Sequence, residues 1–254
     1  MMPMPTLAYT IADLQAHFCH EPHWWPLHHD DRPFEVTVGM VLVQQTRWEA
    51  VEAALLRLLA TGITSFARLA DADPHIVATL CRPCAFYTRK GAALVALARQ
   101  IGAYPGGMTA LLAAPRTIAR QQLLALPQIG RESADTILLY AGDVPLFIVD
   151  AYARRFLSRT GIIASTVDAT TAPYDVVQAH VEALLPLTDA PTAREFHAMM
   201  VEVCIHHCTA THPRCRRTGA RRKFVDVRKC ADHCLSCHAC PAQRYCRHAN
   251  AVTG

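Results

Sequence analysis

No stretch of this 254-residue chain approaches the roughly eighteen consecutive apolar residues of a membrane-spanning helix. The opening, MMPMPTLAYTIADLQ, lacks the basic start and apolar run of a secretory leader, so no export signal is expected. Excess charge is missing too. The 25 Lys and Arg against 21 Asp and Glu leave a net +4, so charge alone does not mark a nucleic-acid binder. There is no internal repeat and only one β-rich run. Residues 144–149 have the composition of a short strand, but a single strand without a partner makes no sheet. Tryptophan is scarce, confined to Trp24, Trp25 and Trp48.

What is present fits one large domain or two small ones, with 52% apolar residues to build cores. Helical periodicity dominates, and the fold class expected is all-α. Thr46 followed by Glu49 has the pattern of a capping box, with Val51, Ala54, Leu55, Leu58 and Leu59 on one face of the helix behind it. Asp73-Pro74 is a cap followed by proline at the first helical position. A helix through Lys90–Ile101 is stopped by Tyr104-Pro105-Gly106-Gly107. Further helices are expected at 115–125, 131–142, 150–159, 173–186 and 191–207.

Two features carry chemistry. The first is LPQIGRESADTILLYAGDVPLFIVD, residues 126–150. Leu126 and Ile129 can pack between two helices while the turn between them stays exposed. Gly130 would supply an unusual φ or a close backbone approach. The free N–H groups of the next helix would then suit an anion such as a phosphate. Asp150 ends the apolar run and stands where an ordinary N-cap would, ready to accept the N–H of Tyr152 or Ala153. The second feature is the tail. Eight of the eleven cysteines fall between Cys204 and Cys246, and without an export signal such clustering reads as a metal site rather than as disulfides. Arg216, Arg217, Arg221, Arg222, Lys223, Arg228 and Lys229 crowd the same region. They suit phosphates rather than base edges, or serve as a solubilising loop.

Taken together, LPxIGxxxA and the following VD resemble the helix-hairpin-helix DNA glycosylases of the endonuclease III superfamily. Leu42-Val43-Gln44-Gln45-Thr46 is similar to that family's Gln-x-Thr segment, and Phe86-Tyr87-Thr88-Arg89-Lys90 to its second DNA-facing loop. Within the superfamily, Gly130-Arg131-Glu132-Ser133-Ala134-Asp135, Trp24-Trp25-Pro26 and Phe34-Glu35 look most like the 3-methyladenine DNA glycosylase branch. One residue departs from the pattern: Gln128 stands where the family usually has glycine.

The resemblance implies two helical domains with a DNA cleft between them. One would be 30–143, holding the hairpin at 126–134. The other would join 1–29 to 144–254, with the cluster loop at 204–246. It further implies a single catalytic carboxylate, Asp150, and a base pocket of Trp24, Trp25 and Trp48. Trp48 could equally be a core residue of its helix. Gln44 would fill the gap left by a flipped nucleotide and Phe86 would act as a wedge. Gln128, Ile129, Gly130 and Arg131 would contact DNA. Bifunctional relatives carry a Schiff-base lysine where this chain has Glu132, and a carboxylate cannot form an imine. The implied activity is therefore monofunctional excision of damaged bases, with alkylated purines such as 3-methyladenine the leading substrates. Other lesions, or cluster-bearing DNA binding without catalysis, are the alternatives.

The implied cofactor is a 4Fe-4S cluster. Cys230, Cys237, Cys240 and Cys246 reproduce the family spacing C-x6-C-x2-C-x5-C and form the expected ligand set. A split register, Cys208, Cys215, Cys240 and Cys246, also fits, with the chain from Arg216 as an insertion. Cys204, Cys208, Cys215 and Cys234 could hold zinc as a second metal. The expected partner is double-stranded DNA with a damaged base, bound by a monomer. The expected location is the cytoplasm, associated with the nucleoid.

Overall fold

A computed structural model describes residues 7–17, 25–163, 167–185, 187–211, 213, 240–243 and 246–251. Among the described residues every regular element is a helix: α1 (Leu7–His17), α2 (Arg32–Leu42), α3 (Trp48–Ala60), α4 (Phe66–Ala70), α5 (Pro74–Leu80), α6 (Tyr87–Ala103), α7 (Gly107–Ala113), α8 (Arg116–Leu124), α9 (Arg131–Tyr140), α10 (Ala151–Thr160), α11 (Tyr174–Leu184), α12 (Ala190–His206) and α13 (Arg247–Ala251). They fall into two compact units, one drawn from Trp25–Val144 and the other from Met1–Trp24 with Pro145–Gly254.

In the first unit α2 is the central helix. Its sequence is apolar nearly all round, and Phe34 through Leu42 are buried, as such a pattern requires. Asp31 caps its start by accepting the N–H of Phe34. No basic residue occupies its last turn. The cation there comes from α6: the Lys90 ammonium donates to the carbonyls of Leu42 and Gln44 at 2.8 and 2.6 Å. The Leu42 carbonyl is one that the helix end leaves without an intrahelical partner, and the Gln44 carbonyl lies just beyond the cap.

The expected capping box at Thr46 and Glu49 does not form. The N-cap of α3 is Arg47, with no side-chain bond. The Thr46 hydroxyl is engaged elsewhere: it accepts from Lys90 Nζ at 2.8 Å and from the Ala85 N–H at 3.2 Å, and donates to the Gln44 carbonyl. The apolar face of α3 is as expected at Val51, Ala54, Leu55 and Leu58, which are buried, while Leu59 is half-buried. Asp73 caps α5 with Pro74 behind it.

In the second unit Phe147, Phe156, Phe196, Met199, Met200 and Val203 form the centre of the core, joined by Ile11 and Leu14 of α1. Residues 144–149 run extended into it without forming a strand. Three of their backbone groups are satisfied by one face of α11. Gln178 donates to the Phe147 carbonyl at 2.7 Å, Glu182 accepts the Phe147 N–H at 2.9 Å, and the Tyr174 hydroxyl takes the Val149 N–H at 3.3 Å. Tyr174, Gln178 and Glu182 stand four residues apart, the spacing that aligns side chains along one helix face. The segment ends at Asp150.

Candidate functional site

Asp150 is buried at the head of α10, and its Oδ1 accepts the Ala153 N–H at 2.6 Å. The cap reading of this residue is therefore correct as far as one oxygen goes. The other, Oδ2, lies 3.5 Å from Nε2 of the buried His197 on α12. His197 was not singled out from the sequence. It is one of many histidines in the chain, and only the packing of α12 on α10 brings it to the carboxylate. Burial, and then the charge of Asp150, push the neighbouring Tyr152 hydroxyl above its usual range.

The aromatic group sits in the Trp25–Val144 unit. Trp25 meets Trp48 edge-on, with ring centroids 5.2 Å apart, and Tyr140 at 5.4 Å. Both tryptophans are half-buried. Trp48 is thus outside the buried face of α3 and belongs to an aromatic cluster. The indole of Trp25 rests on Gly39 of α2, where a Cβ would come within 2.9 Å of its ring. Trp25 Nε1 is buried without a hydrogen-bond partner among the described residues. Glu35 is fully buried, and both its carboxylate oxygens accept the His28 N–H. Burial pushes its pKa up, against the lowering effect of those bonds. Trp24 lies outside the described residues. Tyr140 was missed because it ends an otherwise ordinary apolar helix, far in sequence from both tryptophans.

The hairpin joins α8 to α9, and the two helices are locked by a bidentate pair from Arg120 to the buried Asp135, at 2.7 and 3.1 Å. Leu126 and Ile129 are buried beneath the turn. Gly130 does not play the part expected of it. Its φ is −95°, and a Cβ there would meet nothing within 4 Å. The residue in the left-handed region is Gln128, at φ +62°. Gly130 and Arg131 are exposed at the start of α9, which has no side-chain cap. Glu132 is exposed in its first turn.

Gln44 reaches this hairpin and donates to the Gln128 carbonyl at 2.7 Å. Phe86 is 54% exposed, with φ +54° and the Arg89 guanidinium 5.2 Å from its ring centre.

The strain at Gln128 gives a direct expectation. Gln128→Gly relieves roughly 1–2 kcal/mol of left-handed cost. It adds back roughly 0.5–1 kcal/mol of chain entropy. The net gain, up to about 1.5 kcal/mol, should appear as a higher Tm. A lower Tm would mean that the exposed side chain makes contacts outweighing the strain.

In the tail, Cys204, Cys208, Cys240 and Cys246 are buried. Arg159 joins two of them: its Nη1 donates to Cys208 Sγ at 3.3 Å, and its carbonyl accepts from Cys246 Sγ at 3.3 Å. The same guanidinium donates to the carbonyls of Thr209 and Ala210. A hydrogen bond with Cys204, then Arg159, hold the Cys208 thiol below its usual range, against the effect of burial. The same contact with Cys208, then burial, drive Cys204 upward. Among the described residues no three His, Cys, Asp or Glu side chains form a group that could hold a metal ion. Cys215, Cys230, Cys234, Cys237 and the basic stretch 216–229 lie outside the described residues.

A chain whose described residues form helices only, with a helix-turn-helix hairpin, an aspartate heading the helix after it, and buried thiols near its end, has the features of a base-excision repair protein. The chain belongs to the HhH-GPD superfamily base excision DNA repair protein family, whose model matches residues 38–185. Among curated proteins it is 32% identical to a "Putative DNA repair glycosylase" of Methanocaldococcus jannaschii, over 80% of this chain and 89% of that protein. It is 27% identical to endonuclease III of Thermotoga maritima, over 74% of this chain and 80% of that one. Among solved structures it is similar to the H. pylori 3-methyladenine DNA glycosylase bound to 1,N6-ethenoadenine. The TM-score is 0.63 and the identity 26%, covering 77% of this chain and 93% of the other. A complex of endonuclease III with DNA shares the fold, with TM-score 0.69 and 19% identity over 97% and 96% of the two chains.

Proposed function

We propose that the protein is a monofunctional DNA glycosylase that removes alkylated purines such as 3-methyladenine from duplex DNA, acting as a monomer. The observation that carries this reading is Glu132, an exposed carboxylate in the first turn of α9, where bifunctional relatives hold an amine. Without that amine no Schiff base forms, and strand cleavage has no chemical route there. The choice of substrate is supported by the similarity to the H. pylori 3-methyladenine enzyme and by the cluster of Trp25, Trp48 and Tyr140. A cationic methylpurine gains about 0.5–2 kcal/mol against an aromatic face that a neutral base does not receive.

The chemistry asks little beyond one carboxylate. Breaking the N-glycosidic bond builds an oxocarbenium-like sugar. The target nucleotide must first leave the stack. Asp150 would stabilise the sugar cation and orient or deprotonate the attacking water. Its cap bond fixes one oxygen and, with it, the rotamer of the other. A methylated purine is already charged and departs without prior protonation, which suits a site with a single acid.

The implied 4Fe-4S cluster would draw on thiols described only in part, which among the described residues are not gathered into a metal-holding group. Cys208, Cys240 and Cys246 are buried, and Arg159 contacts two of them, Cys208 through its guanidinium and Cys246 through its carbonyl. With Cys215 as the fourth ligand they make the split register. When bound, the cluster would supply a fixed cross-link for the tail. Zinc as a second metal has no such support. Cys208 cannot serve both groups.

The test is incubation with methylated duplex DNA. Free methylpurine and alkali-labile abasic sites should appear without direct nicking. Borohydride capture of an enzyme–DNA adduct would overturn the monofunctional reading, and no methylpurine release would overturn the substrate.

A further inference from the structure

Lys90 is an unusual residue to find in a core. It is 1% exposed, and its charge is met by neutral oxygens: the Leu42 and Gln44 carbonyls and the Thr46 hydroxyl, at 2.8, 2.6 and 2.8 Å. Burial lowers its pKa, yet three acceptors at these distances favour the ammonium form. All three lie on one short segment, 42–46, and that segment reaches two others. Thr46 Oγ1 accepts the Ala85 N–H at 3.2 Å, next to Phe86. Gln44 Nε2 donates to the Gln128 carbonyl at 2.7 Å. The Lys90 N–H itself donates to the Phe86 carbonyl at 3.0 Å.

Each of the three segments also holds one non-glycine residue in the left-handed region: Gln45, Phe86 and Gln128, at φ +53°, +54° and +62°. Such backbone persists only where its surroundings over-determine it. Here Lys90 donates to the segment that holds Gln45, and that segment is hydrogen-bonded to the other two.

We propose that Lys90 is a positioning residue for excision, fixing the spacing of Gln44, Phe86 and the Gln128 hairpin so that they engage an opened duplex together. This rests on the reading of those segments as DNA-contacting. Lysine suits the task because one ammonium offers three donors, enough to hold three acceptors of a turn that has no regular structure. Methionine fills a similar volume without any of them. A loop displaced by about an ångström costs on the order of 10²-fold when it must align a reaction.

The test compares wild type, Lys90→Met and Thr46→Val as full-length protein. The first readout is single-turnover release of methylpurine from methylated duplex. The second is 2-aminopurine fluorescence in a duplex where that base neighbours a tetrahydrofuran abasic analogue, a measure of gap filling that does not depend on lesion choice. Affinity for the same duplex and thermal unfolding are recorded alongside. Both variants should bind the duplex within about threefold of wild type, yet lose at least about tenfold in release rate and most of the fluorescence change. A lysine that only supports the fold would lower Tm and leave the rate and fluorescence per folded molecule unchanged, which overturns the proposal. Should Lys90→Met fail to fold, folded Thr46→Val with wild-type rate and fluorescence overturns it alone. If wild type fills the gap but releases no methylpurine, the substrate reading fails. The positioning role then stands or falls on the fluorescence of the variants.

Discussion

Asp150→Asn should lower base release by at least about 10²-fold while leaving affinity for duplex DNA nearly unchanged, the scale expected for loss of a positioned acid–base group. Asparagine is a fitting replacement because of the residue's double role. Asn is as good an N-cap as Asp, so the bond from Ala153 and the start of α10 survive. What disappears is the negative charge on the oxygen facing His197, and with it the stabilisation of a sugar cation. Asp150→Ala separates the two roles. It should lose the rate and, in addition, about 1 kcal/mol of stability. Single-turnover kinetics and thermal unfolding on both variants measure each contribution. Asn at full rate would leave Asp150 as a helix cap and nothing more.

Cys208→Ser should abolish the brown colour and iron content of the purified protein, and Cys240→Ser and Cys246→Ser should do the same. Thiolate ligands to iron have no effective hydroxyl substitute, so a single exchange should be decisive. The informative contrast is with Cys230→Ser and Cys237→Ser. In the split register they retain the cluster, because residues 216–239 are then an insertion between two pairs of ligands. If those two bleach the protein and Cys208→Ser does not, the ligands are the contiguous four and Cys208 is a core thiol held by Arg159. Iron analysis and visible absorption on the six proteins separate the cases. Cluster loss should also weaken DNA binding, and the deficit should shrink as salt rises if basic residues of the tail supply phosphate contacts.

The helices and the hairpin were legible in the sequence because their signals are local. Asp73-Pro74 starts a helix whatever lies elsewhere in the chain, and the spacing from Val51 to Leu58 states which face of α3 is buried. Thr46 shows where local reading stops. Thr46 and Glu49 spell a capping box, but Lys90, forty-four residues on, takes the hydroxyl and α3 begins without it. Gly130 and Gln128 show the converse. The glycine drew attention by its type, while the turn placed its strained backbone two residues earlier. The partners of Asp150 and Trp25 were hidden for the same reason as Lys90. His197 and Tyr140 are ordinary residues until packing brings them into contact.

The polar stripe of α11 has a consequence beyond the site. Residues 146–149, Leu-Phe-Ile-Val, are the kind of apolar extended run that pairs with its own copies when left open, and one residue of slip would carry Asp150 with it. Tyr174, Gln178 and Glu182 occupy the N–H and C=O groups through which such pairing would begin. They lie 25 to 35 residues further along the chain. The run is therefore protected only once α11 has formed and docked, a closure that follows rather than precedes the local helices. Until then a chain leaving the ribosome or refolding from denaturant exposes its stickiest segment. Weakening that stripe should lower the yield of soluble protein before it touches the activity of the molecules that fold.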